Sequence, residues 1–134
     1  SARIGAPLGH DFCTVSLSDL LTPWETIENR LNAAAQGDFV VAFYNPVSLK
    51  RRWQFDKAIE ILRTQRPDDT PVILGRNLGR EGETMTVMTI DQVKADHIDM
   101  LTVVLVGSSQ TRIIERGAET PYVYTPRGYE DKKQ

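Results

Sequence analysis

The chain of 134 residues holds one cysteine, Cys13, which excludes an internal disulfide and fits a reducing compartment, the cytoplasm. Its two histidines, His10 and His97, have no Cys pair beside them, too small an inventory for a closed zinc site, and no metal is expected. A basic excess is missing too: 16 Lys and Arg stand against 18 Asp and Glu, a net charge of -2. That balance argues against a general nucleic-acid binder, although a local arginine cluster can still hold a small anion. Apolar runs are short, as in Val103-Val104-Leu105-Val106, far below the roughly 20 residues of a membrane-spanning helix. No secretory leader pattern, internal repeat or low-complexity block is visible. Ser16 and Ser18 lie near His10 and Asp11, but the Gly-x-Ser-x-Gly elbow of a hydrolase is absent. A cysteine in a strand such as Cys13 is more often a small core residue than a nucleophile.

What is present suits a soluble globular domain: 40% hydrophobic and 25% charged residues. The chain starts at Ser1 rather than Met and enters directly into Gly5-Ala6-Pro7-Leu8-Gly9-His10, which reads as a cut from a longer polypeptide. Cys13 to Leu17 alternates and predicts a short strand. Thr22, Pro23 and Glu25 then form a capping-box pattern with proline at the first helical position. Trp24, Ile27, Leu31 and Ala34 recur at helical spacing, and Gly37 is placed to end that helix. Residues 39–44 are a continuous apolar run, predicting a strand buried on both faces. A second helix is predicted over about residues 52–65, with Phe55, Ala58, Ile59 and Leu62 inward, and Pro67 turns Arg66 away from helix. Strands are predicted at 71–74, 84–89 and 101–106, a short helix at 90–94, and an edge strand at 122–124. The order favours an α/β domain whose sheet mixes parallel and antiparallel strands, with helices packed on it.

Three loops invite a ligand reading. Tyr44-Asn45-Pro46 follows a buried strand, where open α/β sheets commonly bind ligands, and reads equally as a plain strand-to-helix turn. The segment from Gly75 to Glu83 combines three glycines with Arg76 and Arg80. It matches neither a P-loop nor a dinucleotide fingerprint, and it reads either as a ligand loop or as a glycine-rich hairpin. Lys50-Arg51-Arg52 puts cations at a helix start, against the helix dipole. Thr102 opens the last apolar strand, where its hydroxyl can meet a ligand or a backbone carbonyl.

Longer strings carry a more specific signal. Residues 5–12, residues 16–24, Tyr44-Asn45-Pro46, Arg76-Asn77, residues 79–84, residues 106–112 and Thr125-Pro126-Arg127-Gly128-Tyr129 are collinear and cover nearly the whole chain. Together they resemble the tetrapyrrole methylases, and within that family the enzymes that methylate C17 of precorrin-3B with ring contraction in cobalamin (vitamin B12) biosynthesis. The resemblance implies S-adenosyl-L-methionine as cofactor, held in a cleft between two α/β domains of a homodimeric enzyme. It implies that residues 1–21 end the N-terminal domain, that 22–129 form the C-terminal domain, and that 130–134 are a polar tail. Tyr44, Asn45, Asn77, Thr84 and Thr102 are implied cofactor contacts. Arg76, Arg80, Arg51 and Arg52 are implied partners for the carboxylates of the tetrapyrrole. No general base is assigned, and without the N-terminal domain the chain is expected to be inactive. Two alternatives stay open: another methylase of the same pathway, and a non-catalytic dimerisation or binding domain.

Overall fold

The β-branched runs take the centre of the molecule and the two amphipathic segments pack against them. The computed structural model describes residues 4–9, 11–44, 46–47 and 52–126. In chain order the elements are β1 (Gly5–Ala6), β2 (Phe12–Ser16), α1 (Trp24–Gln36), β3 (Val40–Tyr44), α2 (Trp53–Arg63), β4 (Pro71–Arg76) and β5 (Thr84–Thr89). A 3-10 turn (Ala95–His97) follows, then β6 (Thr102–Val106), β7 (Arg112–Arg116) and β8 (Glu119–Tyr124). Five strands form the main sheet in the order β2-β3-β6-β4-β5. β2 and β3 are parallel, while β6 runs antiparallel to both β3 and β4, and β5 antiparallel to β4. The expected mixed sheet is therefore present. The carboxyl ends of β2, β3 and β4 share one end of the sheet with the amino ends of β5 and β6.

Strand alternation decides which side chains meet the helices. Val41, Phe43, Val72, Leu74, Val104 and Val106 share one face and pack on Ile27, Leu31, Ala34, Phe55, Ala58 and Leu62. Each such Val, Leu, Ile or Phe contributes about 1.5–3 kcal/mol on full burial. Two edge-to-face pairs cross this layer: Phe43 with Phe55 at 6.2 Å between ring centres, and Trp24 with Trp53 at 5.0 Å. The opposite face is covered only in part. β8 pairs with β1 and β7, and this small sheet brings Ile4 and Val123 onto Ile73. Ala42 is left half-buried, so β3 is less enclosed than its apolar run predicts.

Several local expectations are corrected. Thr22 does not cap α1. Pro23 occupies the N-cap with φ −57° and ψ 141°, and its carbonyl accepts the N–H groups of Thr26 and Ile27. The ring-fixed φ of proline suits that flanking position as well as the first helical one. Gly37 stays right-handed at φ −77°, and Asp38 takes the left-handed turn at φ 58°. Gly37 is needed for space: a Cβ there would stand 2.8 Å from the Phe39 ring. Residues 90–94 form a turn rather than a helix: the Thr89 carbonyl accepts the N–H groups of Gln92 and Val93, while the Ile90 N–H donates to the Thr70 carbonyl and the Ile90 side chain enters the core. β2 pairs along all of β3, and Val15 and Leu17 are buried in the core of the main sheet.

Arg66, read from sequence only as the residue before a proline, has a side chain with 0% exposure. Its Nε donates to the Gly107 carbonyl at 3.1 Å, and its terminal nitrogens donate to the carbonyls of Ala35 (2.9 Å), Phe39 (2.8 Å), Ala34 (3.4 Å) and Gln65 (3.2 Å). Asp38 Oδ1 balances the charge at 3.4 Å and also accepts the Ser109 N–H at 2.8 Å. A cation over the last carbonyls of α1 also complements the helix dipole. Removing it opens space in a fully covered site and takes away the cation that faces Asp38, whose carboxylate keeps its bonds to Ser109. Arg66→Ala is expected to lower the unfolding free energy by about 3–5 kcal/mol. A urea titration checks this, and an unchanged midpoint contradicts it.

Candidate functional site

The turns at the shared end of the sheet build an open cavity of about 310 Å³ with a mixed polar and apolar lining: Tyr44, Asn77, Leu78, Arg80 and residues 100–103. Tyr44 ends β3 and is half-exposed. Thr102 opens β6 and is buried. Register places Thr102 opposite Arg76, and Arg76 opposite Thr84. Of the implied cofactor contacts, the structure thus gathers Tyr44, Asn77 and Thr102 in one cavity. Thr84 stands at the same end of the sheet, exposed and outside the cavity lining. Asn45 lies outside the described residues.

Backbone geometry holds the two loops of the cavity together. Asn77 adopts φ 55°, a left-handed conformation that asparagine tolerates better than most residues. Its N–H donates to the Leu101 carbonyl at 3.2 Å, and its own carbonyl accepts the Arg80 N–H at 2.9 Å. Gly79 and Gly82 continue the loop at φ 72° and 80°. Gly82 leaves the Asn77 amide in reach, 3.7 Å from where a Cβ would sit. Gly75 has a different role: a Cβ there would lie 3.0 Å from Leu78 Cδ2, so its absence lets Leu78 fold down over β4. Leu78 and Val103 also line a second, almost wholly apolar cavity of about 240 Å³ beside the first, with Ile73, Met85 and Leu105.

The Thr102 hydroxyl meets a carboxylate rather than a carbonyl: it donates to Asp99 Oδ1 at 2.9 Å and accepts the Asp99 N–H at 3.1 Å. Asp99 Oδ1 also accepts the Leu101 N–H at 2.9 Å, and Oδ2 accepts from Arg76 Nε at 2.6 Å. The arginine bond is the main reason the Asp99 carboxyl titrates below the ordinary aspartate range, with the Leu101 and Thr102 bonds adding to it. Asp99 and Met100 were not among the candidate site residues, and Leu101 was read only as the start of a strand. The usable signal was Asp99-x-x-Thr102 ahead of a strand, the spacing of a reciprocal side-chain and backbone turn.

The four arginines implied as substrate partners separate. Arg80 lines the cavity, is exposed, and has no side-chain partner among the described residues. Arg76 is half-exposed and bound by Asp99. Arg52 Nη2 donates to the carbonyls of Ala95 (2.8 Å) and Ile98 (3.1 Å), and so ties the start of α2 to the 3-10 turn. Arg51 lies outside the described residues. Burial pushes the Cys13 thiol up, which suits a core residue better than a nucleophile. Among the described residues, no group of three or more His, Cys, Asp and Glu could hold a metal, and no helix is long and apolar enough to cross a membrane.

Comparison with known proteins gives this geometry a context. Residues 1–94 match the family model described as Tetrapyrrole (Corrin/Porphyrin) Methylases. A precorrin-3B C(17)-methyltransferase of Sinorhizobium sp. is 52% identical over 134 residues, covering 100% of this chain and 53% of that protein. A cobalt-factor III methyltransferase of Priestia megaterium is 47% identical over 132 residues, covering 98% of this chain and 24% of that protein. A crystal structure of the methyltransferase CobJ superposes with a TM-score of 0.83 at 43% identity, covering 93% of this chain and 50% of that one. The chain thus spans about half the length of the Sinorhizobium relative.

The Asp99 pairing has a defined pH signature. A carboxyl with a depressed folded-state pKa contributes its stabilisation above its unfolded value, about 3.9, and loses it as pH falls through the lower folded value. Carbon-detected NMR should find Asp99 ionised throughout the neutral and mildly acidic range, titrating below about 3.9. Arg76→Gln should move that titration upward, and an unmoved midpoint contradicts the assignment.

Proposed function

Because the chain belongs to the tetrapyrrole (corrin/porphyrin) methylases, we propose that it forms one wall of the S-adenosyl-L-methionine cleft of a methyltransferase acting at C17 of a corrin precursor in cobalamin biosynthesis. The observation that carries this reading is the convergence of Tyr44, Asn77 and Thr102, from three separate turns, on one cavity of mixed lining at the end of the sheet. The names of the Sinorhizobium and Priestia relatives support the pathway and the kind of substrate.

The lining suits a nucleoside. Tyr44 offers an exposed aromatic face for a heteroaromatic base, and Asn77 supplies an amide. The apolar surface of Leu78 and Val103 beside them suits the rest of such a ligand. S-adenosyl-L-methionine would supply a methyl group on a sulfonium, transferred to a carbon nucleophile. The residues of this chain are assigned the work of holding and orienting, and positioning two reactants in line accounts for much of the rate in such a transfer. Arg76 and Arg80 are assigned to the acetate and propionate groups of a precorrin-3B-like tetrapyrrole, for which a guanidinium fork is well shaped. No general base is assigned to this chain. We further propose that the whole enzyme works as a homodimer in the cytoplasm, and that the remaining half of its length supplies the second wall of the cleft.

Calorimetry on the whole enzyme tests the cofactor assignment. Tyr44→Ala should weaken S-adenosyl-L-methionine binding by about tenfold, the loss of one stacked aromatic. This chain alone should bind it far more weakly than the whole enzyme. Unchanged affinity in the Tyr44 variant, or tight binding by the isolated chain, overturns this reading.

A further inference from the structure

Arg76 and Asp99 meet where two turns of the cavity join, and the way they meet is informative. The bond to Asp99 Oδ2 uses Arg76 Nε, the inner nitrogen of the fork, at 2.6 Å. Neither terminal nitrogen of Arg76 has a hydrogen-bond partner among the described residues. A guanidinium gripped at Nε has its plane set while its outer edge, with two parallel N–H groups, stays open to an incoming carboxylate. The other oxygen of Asp99 is occupied inside its own turn, where Oδ1 accepts from both Leu101 N–H and Thr102 Oγ1. Those two bonds fix the carboxylate, which in turn fixes the arginine. The Asn77 N–H to Leu101 carbonyl bond closes the same junction from the backbone side.

Resting on the reading that Arg76 receives a substrate carboxylate, we propose that Asp99 is a positioning residue for substrate: anchored by the residue 99–102 turn, it orients Arg76 to bind that carboxylate edge-on. The pairing is partly exposed, with the Arg76 and Asp99 side chains at 50% and 42% of full accessibility, so an anionic group of a large ligand can reach it. The depressed titration of Asp99 agrees with a carboxylate that stays charged in this role. The arrangement also explains why an arginine meant for anions tolerates an acidic neighbour. The neighbour engages the nitrogen that an edge-on carboxylate does not use, and it lowers the entropy lost when the ligand docks.

Asp99→Asn separates this role from a purely structural one. The asparagine carbonyl can still accept from Leu101 and Thr102, whereas its amide nitrogen, a donor, cannot accept from Arg76. In the whole enzyme, Asp99→Asn should raise KM for the tetrapyrrole on the order of tenfold while kcat changes less than threefold. S-adenosyl-L-methionine affinity should stay at its wild-type value, and the thermal midpoint should fall only by the small contribution of a partly exposed ion pair. Arg76→Gln should raise KM at least as much, and the double variant should be no worse than Arg76→Gln alone, because both changes remove one coupled unit. If Arg76→Gln raises KM and Asp99→Asn leaves it unchanged, the positioning role is wrong and the carboxylate reading of Arg76 survives. If Arg76→Gln itself leaves KM unchanged, both are wrong. A fall in cofactor affinity for Asp99→Asn, or a fall in thermal midpoint larger than that of Arg76→Gln, which removes the same ion pair, marks the residue as structural and also overturns the proposal.

Discussion

One buried guanidinium joins the parts of the molecule that the chain keeps far apart. Arg66 reaches the last turn of α1 through Ala34 and Ala35, the entry to β3 through Phe39, and the exit of β6 through Gly107. A charge in a fully covered site is unfavourable unless almost every donor has an acceptor, and here carbonyls supply most of them. That requirement explains the shape of the α1–β3 corner. Asp38 takes a left-handed backbone so that its carboxylate stands beside the cation, and Gly37 has no side chain so that the Phe39 ring can close over the turn. The small residues after β6 answer to the same crowding: a Cβ on Gly107 would meet Thr111 at 2.7 Å.

This corner lies at the opposite end of the sheet from the cavity, and it sets the register on which the cavity depends. β6 lies between β3 and β4. Its exit is held by Arg66, and its entry carries Thr102 and follows the Asp99 turn. With the exit held, Val104 stays between Phe43 and Leu74, and the entry arrives beside Tyr44 and Arg76. A slip of one residue would turn Val104 and Val106 away from the helices and carry the Asp99 turn out of register with Arg76. Core packing and site geometry are therefore two readings of one strand register.

Elements with strong local patterns were legible in the sequence: α1, α2, and the strands β3 to β6. Their periodicity reports burial directly, because alternating or helical spacing survives whatever the neighbours are. Turn details were less legible. Whether Thr22 or Pro23 caps α1, and whether Gly37 or Asp38 carries the left-handed angle, depends on what packs against the turn. Arg66 and Arg52 look alike on paper as surface cations. Carbonyls from segments 27 to 46 residues away along the chain decide that both are struts. β7 escaped notice because its residues 112–116 mix charge with two isoleucines and it pairs only with β8. The site followed the same rule. Tyr44 and Asn77 could be named from strings of matched residues, and Thr102 from its place at the start of an apolar strand, while the pairing of Asp99 with Arg76 becomes visible only when β4 and β6 lie side by side.

The central position of β6 also bears on how the chain comes off the ribosome. β3 and β4, both rich in branched apolar residues, are made well before the strand that separates them. Until residues 102–106 emerge, each presents an open hydrogen-bonding edge beside an apolar face, the kind of surface that recruits strands from other chains. The helices can form at once from local contacts, but closing the sheet must wait for a long-range partner, a slow step that leaves nascent chains open to aggregation. The interval between the synthesis of β4 and the arrival of β6 is therefore the one in which the growing chain is most open to pairing with its neighbours.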